Sequence, residues 1–386
     1  MEEWKEYRLG DLFERVTRKN TNLESENVLT ISAQHGLINQ EEFFNKSVAG
    51  KNLKNYYLLK KGEFAYNKSY SAGYPMGATK MLEKYDEGIV STLYICFRSK
   101  NDLVNNDFFK YFFESSQYYD KLAKIVQEGA RNHGLLNVSI EDFFNIKVKI
   151  PSKEEQEKIV RVIQKVDQII KKIKEEQDNN QKIKKSIRNK MMSNKNNNNW
   201  KLKRIDQLGQ IITGTTPATK IKSYYGNDYL WVTPADIHDR EITVTERMLS
   251  EEGLKKGRII PANSLLVTCI ASIGKNAILR ELGSCNQQIN AIIPYSGYDV
   301  DFLYYLISYN EKKMHKYAGD GGMEILNKET FSKIQLLVPD EVEQKKISKI
   351  LRLYDNKLKI LEKKYEEYQI LKKAILQTII KEGIKI

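Results

Sequence analysis

Cysteine is scarce in this 386-residue chain: Cys96, Cys269 and Cys285 are odd in number and widely scattered. That usage argues against a disulfide framework and predicts reduced core thiols, and no pair has the spacing of metal ligands. The four histidines (His35, His133, His238 and His315) are equally dispersed, so metal ligation is not expected. Long apolar runs are missing, and the opening "MEEWKEYRLGDLFERV" holds no signal-peptide stretch, which leads to the expectation of a cytoplasmic protein with no membrane partner. Phosphate cradles are absent too: "SIGKN" (272–276) lacks the first glycine and the final hydroxyl of G-x-x-x-x-G-K-[ST]. No glycine-rich cofactor loop follows a strand, and no Ser-His-Asp or Cys-His set emerges from spacing. No catalytic residue is therefore assigned.

What is present suits a folded protein, with 41% hydrophobic and 29% charged residues, and 386 residues allow two or more domains. Lysine and arginine total 63 against 50 acidic residues, leaving +13. Such an excess favours a polyanionic partner, because basic side chains displace counterions condensed on nucleic acid. Lysine- and asparagine-rich composition of AT-rich genomes supplies the same charge, so charge alone decides nothing.

The chain repeats itself. "IPSKEEQEKI" from Ile150 returns as "VPDEVEQKKI" from Val338, with Pro151, Gln156 and Ile159 each 188 residues before Pro339, Gln344 and Ile347. "WKEYRLGDLFERV" from Trp4 returns as "WKLKRIDQLGQII" from Trp200. Between the copies, the polar "NKNNNN" (194–199) reads as a linker. Each copy opens with a module, 1–150 or 200–338, that mixes short β-branched and aromatic runs with glycine and asparagine turns. This mixture is expected for an α+β fold. A second part follows, 151–193 or 339–386. Within 152–192 and 340–381 there is neither proline nor glycine, and apolar residues recur every three or four positions.

Ser152 with Glu155, and Asp340 with Glu343, have the spacing of helix capping boxes, and the preceding proline keeps each entry extended. The repeated phrase is helix punctuation, so a catalytic role for these glutamates is not expected. Counting 3-4-3-4 along the first helix gives Ile159, Ile163, Val166, Ile170, Ile173, Gln177, Asn180, Lys184, Ile187 and Met191. Along the second it gives Ile347, Leu351, Tyr354, Leu358, Leu361, Tyr365, Tyr368, Lys372, Ile375 and Ile379. These are coiled-coil seams rather than broad globular faces. At ~1.5 Å per residue each helix would run roughly 60 Å. An antiparallel coiled coil is the expected pairing, with two pseudo-symmetric modules at its two ends and Gln177 and Asn180 setting register. Separate packing of each helix on its own module is the alternative.

This layout resembles the specificity subunit of type I restriction–modification enzymes over essentially the whole chain. "GLLNVSIEDFFNIKVKIPSKEEQEKI" looks like that family's passage from recognition domain into spacer helix, and "TGTTPATKIKSYYGNDYLWVTPADI" is similar to the start of many of its recognition domains. The resemblance implies a non-catalytic subunit whose two target recognition domains read the halves of a split, asymmetric site in double-stranded DNA. It also implies two methyltransferase (modification) subunits and two ATP-driven restriction subunits as partners, with S-adenosylmethionine, ATP and magnesium bound by those partners and none by this chain. The N/D-P-P-Y/F motif of adenine methyltransferases is not found here, which argues against a self-sufficient enzyme. A coiled-coil scaffold or DNA-binding regulator without a restriction role is the remaining alternative.

Candidate DNA contacts follow from comparing the halves. "GARNHGLLN" (129–137) aligns without gaps to "GDGGMEILN" (319–327), keeping Gly129, Leu136 and Asn137 as Gly319, Leu326 and Asn327 while the side chains between them change. Arg131, with neighbours Asn132 and His133, is suited to guanine, and Asp320 or Glu324 to cytosine N4. Lys68, Tyr70 and Tyr74 lie in "NKSYSAGYP". Thr215, Thr216, Lys220, Lys222 and Tyr224 lie in "TGTTPATKIKSYYG". "CNQQIN" carries Asn286, Gln287 and Gln288, whose amides can pair with adenine. Each loop is equally readable as turn chemistry. Trp4, Trp200 and Trp231 are expected in the core.

Overall fold

A computed structural model describes residues 4–32, 36–44, 52–69, 74–128, 136–193, 199–318 and 324–381. The chain divides into two compact units, Met1–Lys174 with Lys363–Ile386, and Glu175–Glu362. Each unit joins one module to segments of both long helices.

In the first unit, β1 (Lys5–Arg8) and β2 (Phe13–Arg15) precede β3 (Phe64–Asn67), β4 (Ala78–Met81) and β5 (Ile95–Ser99). Helix α1 (Asn106–Phe112) and β6 (Lys147–Ile150) then lead into α2 (Lys153–Met192). Four strands form an antiparallel sheet in the order β2-β5-β3-β4, with Phe64 opposite both Phe97 and Met81. β1 pairs antiparallel with β6, Lys5 against Ile150, so the start of the module is tied to the strand that feeds the long helix. The core is aromatic. Phe13 meets Phe64, Phe97 and Phe109 with ring centroids 5.8, 5.2 and 4.8 Å away, all edge-on, a geometry that adds quadrupole attraction to area burial.

In the second unit, β7 (Lys201–Arg204), β8 (Gly209–Thr213), β9 (Glu241–Ile242), β10 (Ser264–Thr268), β11 (Asn276–Leu279) and β12 (Ile289–Pro294) precede α3 (Val300–Tyr309). β13 (Gln335–Val338) then feeds α4 (Glu341–Ile375), which ends in a π-helical turn at Leu376–Lys381. Five strands order as β8-β12-β10-β11-β9, and β7 pairs with β13 as β1 does with β6. The plan is the same but the filling is aliphatic: Leu265, Val267 and Ile292 stand where the first unit has Phe64, Tyr66 and Phe97. Trp4 lies edge-on to Phe108 at 6.4 Å, and Trp200 to Phe302 at 6.3 Å. Trp200 and Trp231 are buried and Trp4 half-buried.

Within each unit the helix segments run antiparallel. Ile159 and Ile163, from the start of α2, share one core with Leu376, Ile379 and Ile380 just beyond the end of α4. Likewise Ile347 and Leu351 share a core with Ile187 and Met192. Ile159, Ile163, Val166, Ile173, Ile347, Leu351 and Leu361 are buried, and Ile170, Tyr354 and Leu358 are half-buried. Asn180 is buried and donates to Glu176 O of its own helix at 2.7 Å.

The seam lysines are explained by what they meet. Asp167 accepts from the Tyr111 hydroxyl of α1 at 2.8 Å and lies 2.6 Å from Lys372 of α4. Asp355 accepts from the Tyr305 hydroxyl of α3 and from Lys184 of α2. The same three-way junction is built in both units, with the roles of the long helices exchanged. Burial, and then the adjacent aspartate, push the ionisation of Tyr111 and Tyr305 well above the ordinary range, so both keep their donor proton.

At the helix starts, Ser152 Oγ accepts from Glu155 N at 3.5 Å and Asp340 Oδ1 from Glu343 N at 2.9 Å. The repeated glutamine does more. Gln156 is buried, donates from Nε2 to Leu103 O (2.9 Å) and Pro151 O (3.0 Å), and accepts from Asn105 N at 2.9 Å. Gln344 donates to Gly297 O (3.3 Å) and Pro339 O (3.0 Å) and accepts from Asp299 N at 3.0 Å. Asn105 and Asp299 are themselves the caps of α1 and α3, so one amide clips each long helix to the helix of its module.

Candidate nucleic-acid interface

In the second unit the antiparallel order of β8, β12 and β10 brings three loops to one edge of the sheet. Thr213 at the end of β8 faces Asn290 near the start of β12, which also faces Val267 near the end of β10. Backbone bonds then lock the loops together. Gly214 N donates to Ile289 O (3.0 Å), Thr215 N to Cys285 O (2.8 Å) and Cys269 N to Gln288 O (2.9 Å). The segment after the 319–323 stretch joins them, as Ala271 N donates to Glu324 O (3.1 Å) and Leu326 N to Cys269 O (2.8 Å). Gly214 allows this approach because a Cβ there would lie 2.2 Å from Asn286 O and 2.3 Å from Cys285 O. Beneath the loops, Thr213 Oγ1 donates to Asn290 Oδ1 at 2.7 Å and Asn290 Nδ2 donates to Cys269 Sγ at 3.2 Å.

The structure thus gathers Thr215, Thr216, Gln287, Gln288 and Glu324 at one edge, with Asn286 buried behind them. Thr216 and Gln287 are exposed, and the Thr216 hydroxyl donates to Gln287 Oε1. Glu324 is also exposed, with His315 Nδ1 2.7 Å from its Oε2. Lys220 and Lys222 are exposed farther along the same loop as Thr216, while Tyr224 is half-buried and its carbonyl accepts from Ser250 N.

In the first unit, Lys68 O accepts from Leu136 N at 2.7 Å, the counterpart of the Cys269–Leu326 bond, and Lys68 Nζ reaches Val138 O at 3.5 Å. Tyr74 is turned inward. Its hydroxyl donates to Glu114 Oε2 at 2.8 Å and accepts from Lys80 Nζ at 3.1 Å, and Lys80 also pairs with Glu114. Burial, and then Glu114, raise the Tyr74 ionisation above its ordinary range. Tyr70, Arg131, Asn132, His133 and Asp320 lie outside the described residues.

Superposing the strand plans reveals positions that the sequence comparison passed over. The loop in the second unit that corresponds to Lys68–Gly77 is Cys269–Lys275, with Ser272 and Lys275 exposed. The turn in the first unit that corresponds to Cys285–Gln288 is Ser91–Tyr94, carrying an exposed Leu93. Arg258 was missed as well. It is exposed, and its guanidinium donates to Thr213 O at 2.9 Å, which puts a cation beside the Thr215–Thr216 loop. The available signal was the strand ending in front of each loop, which identifies equivalent loops even where their lengths differ.

Among the described residues, neither edge offers thiol or metal chemistry a footing. Burial pushes Cys96 and Cys285 up to about 12 and Cys269 up to about 11, so all three stay protonated. Among the described residues no group of three His, Cys, Asp or Glu side chains could hold a metal ion, and no helix is long and apolar enough to cross a membrane. What the edge does offer is backbone-fixed amide, hydroxyl and carboxylate groups flanked by lysine and arginine, a combination suited to base edges and phosphates.

A family model described as "Type I restriction modification DNA specificity domain" matches residues 1–183 and, a second time, 197–369. The MjaIX type I restriction enzyme specificity subunit of Methanocaldococcus jannaschii is 35% identical over 46% of this chain and 42% of its own length. The HindI specificity subunit of Haemophilus influenzae is 37% identical over 39% of this chain and 35% of its own. The matches thus span less than half the length of these curated relatives. Among solved structures, the type I restriction–modification S subunit of M. genitalium aligns with a TM-score of 0.58 at 14% identity, covering 98% of this chain and 96% of that one. The HsdS subunit of Thermoanaerobacter tengcongensis aligns at 0.53 and 17%, with coverages of 98% and 96%. At such identities these two matches establish the fold.

Proposed function

Since the chain belongs to the family of type I restriction–modification DNA specificity subunits, we propose that it reads a bipartite, asymmetric site in double-stranded DNA, one half with each module. The observation that carries this reading is one strand-edge scaffold built twice and dressed with different side chains. The turn Ser91–Tyr94 in one unit answers to Cys285–Gln288 in the other, and Lys68–Gly77 to Cys269–Lys275. Two readers of unlike sequences need a kept frame and changed side chains. Thr216, Gln287, Glu324 and Arg258 in the second half, and Lys68 and Arg131 in the first, are the contacts we assign to DNA. Lys220, Lys222 and Lys275 track phosphates.

The chain itself performs no chemistry. Methyl transfer and cleavage belong to two methyltransferase and two restriction subunits, which hold S-adenosylmethionine, ATP and magnesium. Val342, Leu353 and Ile360, at 80, 63 and 57% exposure, lie along one face of α4 among Lys346, Lys349 and Lys357. An apolar ridge flanked by cations fits an acidic amphipathic helix of the methyltransferase partner.

The complex with that partner is expected to bind its split site at least about a thousandfold more tightly than scrambled DNA at fixed ionic strength. Equal affinity for both would leave a basic scaffold instead. The long helices then set the spacing between half-sites. Deleting one heptad from both α2 and α4 shortens the spacer by about 10 Å and moves the preferred gap by about three base pairs. An unchanged gap would remove the ruler role.

A further inference from the structure

Three consecutive amides, Asn286, Gln287 and Gln288, are equivalent in sequence, but hydrogen bonding separates them. Asn286 is buried, donates from Nδ2 to Gln288 Oε1 at 3.1 Å and accepts from Gln288 N at 3.1 Å. These two residues close a turn upon themselves. Gln287, at the tip of that turn, is exposed, and its Oε1 accepts from the Thr216 hydroxyl of the neighbouring loop. Thr216 is itself held in place. Gly214 and Thr215, just before it, bond to Ile289 O and Cys285 O, and Trp231 Nε1 donates to Thr215 O at 3.3 Å.

This contact decides how the amide is presented. A glutamine offers a donor and an acceptor side by side, but rotation about its last bond exchanges them. In the arrangement seen here Oε1 accepts the hydroxyl proton, which leaves the Nε2 donors and the second Oε1 lone pair for a base edge. Adenine presents the matching pair in the major groove, N7 as acceptor and the N6 amino group as donor, whereas guanine sets two acceptors there.

We propose that Gln287 reads one adenine of the half-site recognised by the second module, and that Thr216 is the positioning residue that orients its amide. This inference rests on the DNA-recognition reading above. It gives the two halves different chemistry at equivalent positions, because the Ser91–Tyr94 turn carries no amide.

The test uses the full chain with its methyltransferase partner and duplexes in which each adenine of the site is replaced in turn by 7-deazaadenine, which lacks the N7 acceptor. The wild-type complex should lose about 10-fold in affinity at one position, and Gln287→Ala should lose 10- to 100-fold on the natural site and become insensitive at that position. Thr216→Val should shrink the preference for adenine over guanine there by about 10-fold, and Thr216→Ser should restore it. A wild-type complex insensitive at every adenine, or a Gln287→Ala complex with full discrimination, would overturn the proposal while leaving sequence recognition intact. A wild-type complex with no sequence preference would instead sink the recognition reading, and this inference with it.

Discussion

Gln344→Leu is expected to destabilise the second unit by about 3 kcal/mol, although the substitution nearly preserves volume. The side chain is 1% exposed, and its removal leaves Asp299 N–H, Gly297 C=O and Pro339 C=O without the amide that serves all three. Each buried backbone group stripped of its partner costs about 1–3 kcal/mol, and partial access of water recovers some of that sum. Gln344→Glu should be no better, because a carboxylate cannot donate to the two carbonyls. Gln156→Leu should act equally on the first unit. Urea unfolding followed by fluorescence separates the two cases, since Trp4 is the one tryptophan of the first unit and Trp200 and Trp231 belong to the second. A loss under ~0.5 kcal/mol, the scale of an ordinary surface substitution, would show the clip to be incidental.

Asp301→Ala should cost about as much, by a different mechanism. The Asp301 carboxylate, at the start of α3, accepts from Arg240, from Arg280 at 2.8 Å and from Arg352 of α4 at 3.3 Å. Glu241 shares two of these partners, at 2.5 Å from Arg240 and 2.6 Å from Arg280. Without Asp301, the partly buried Arg240 and Arg280 are left with Glu241 alone, and the more exposed Arg352 loses this contact. Removing one partner of a buried ion pair is worth about 3–5 kcal/mol, and the partial exposure of Arg352 argues for the lower end. Asp301→Asn keeps the shape and should cost less. Acid should weaken the same network. Burial raises the Glu241 pKa, but its bond to Arg280 and the charge of Arg240 outweigh that and leave it below the ordinary 4.5. A group with a lowered folded pKa contributes stability above its unfolded value and loses it as pH falls through the folded one. Denaturation midpoints of Asp301→Ala and wild type that coincide at neutral pH would refute this account.

Much of the architecture was legible along the chain. An apolar repeat alternating three and four positions over about 40 residues has one structural solution, and a proline followed by a capping spacing marks where it starts. The seam was readable down to Lys184 and Lys372, although nothing in a heptad count explains a lysine there. Their partners, Asp167 and Asp355, sit on the other long helix. A pairing between residues so distant along the chain leaves no local pattern.

The recognition edge was legible only in fragments, for the same reason. "CNQQ" shows three amides, yet that the middle one meets the Thr216 hydroxyl depends on a loop 71 residues away. Tyr74 reads in sequence as a residue of a DNA-contacting loop, but Lys80 and Glu114 draw it inward. Composition, periodicity and repetition determined that this protein is a doubled α+β chain with two long amphipathic helices, because those properties arise from neighbours in the chain. Tertiary structure alone decided which side chains stand at the sheet edge and which polar groups bolt helix to module. Burial and hydrogen bonding are set by whatever the fold brings alongside, and the chain order does not record that.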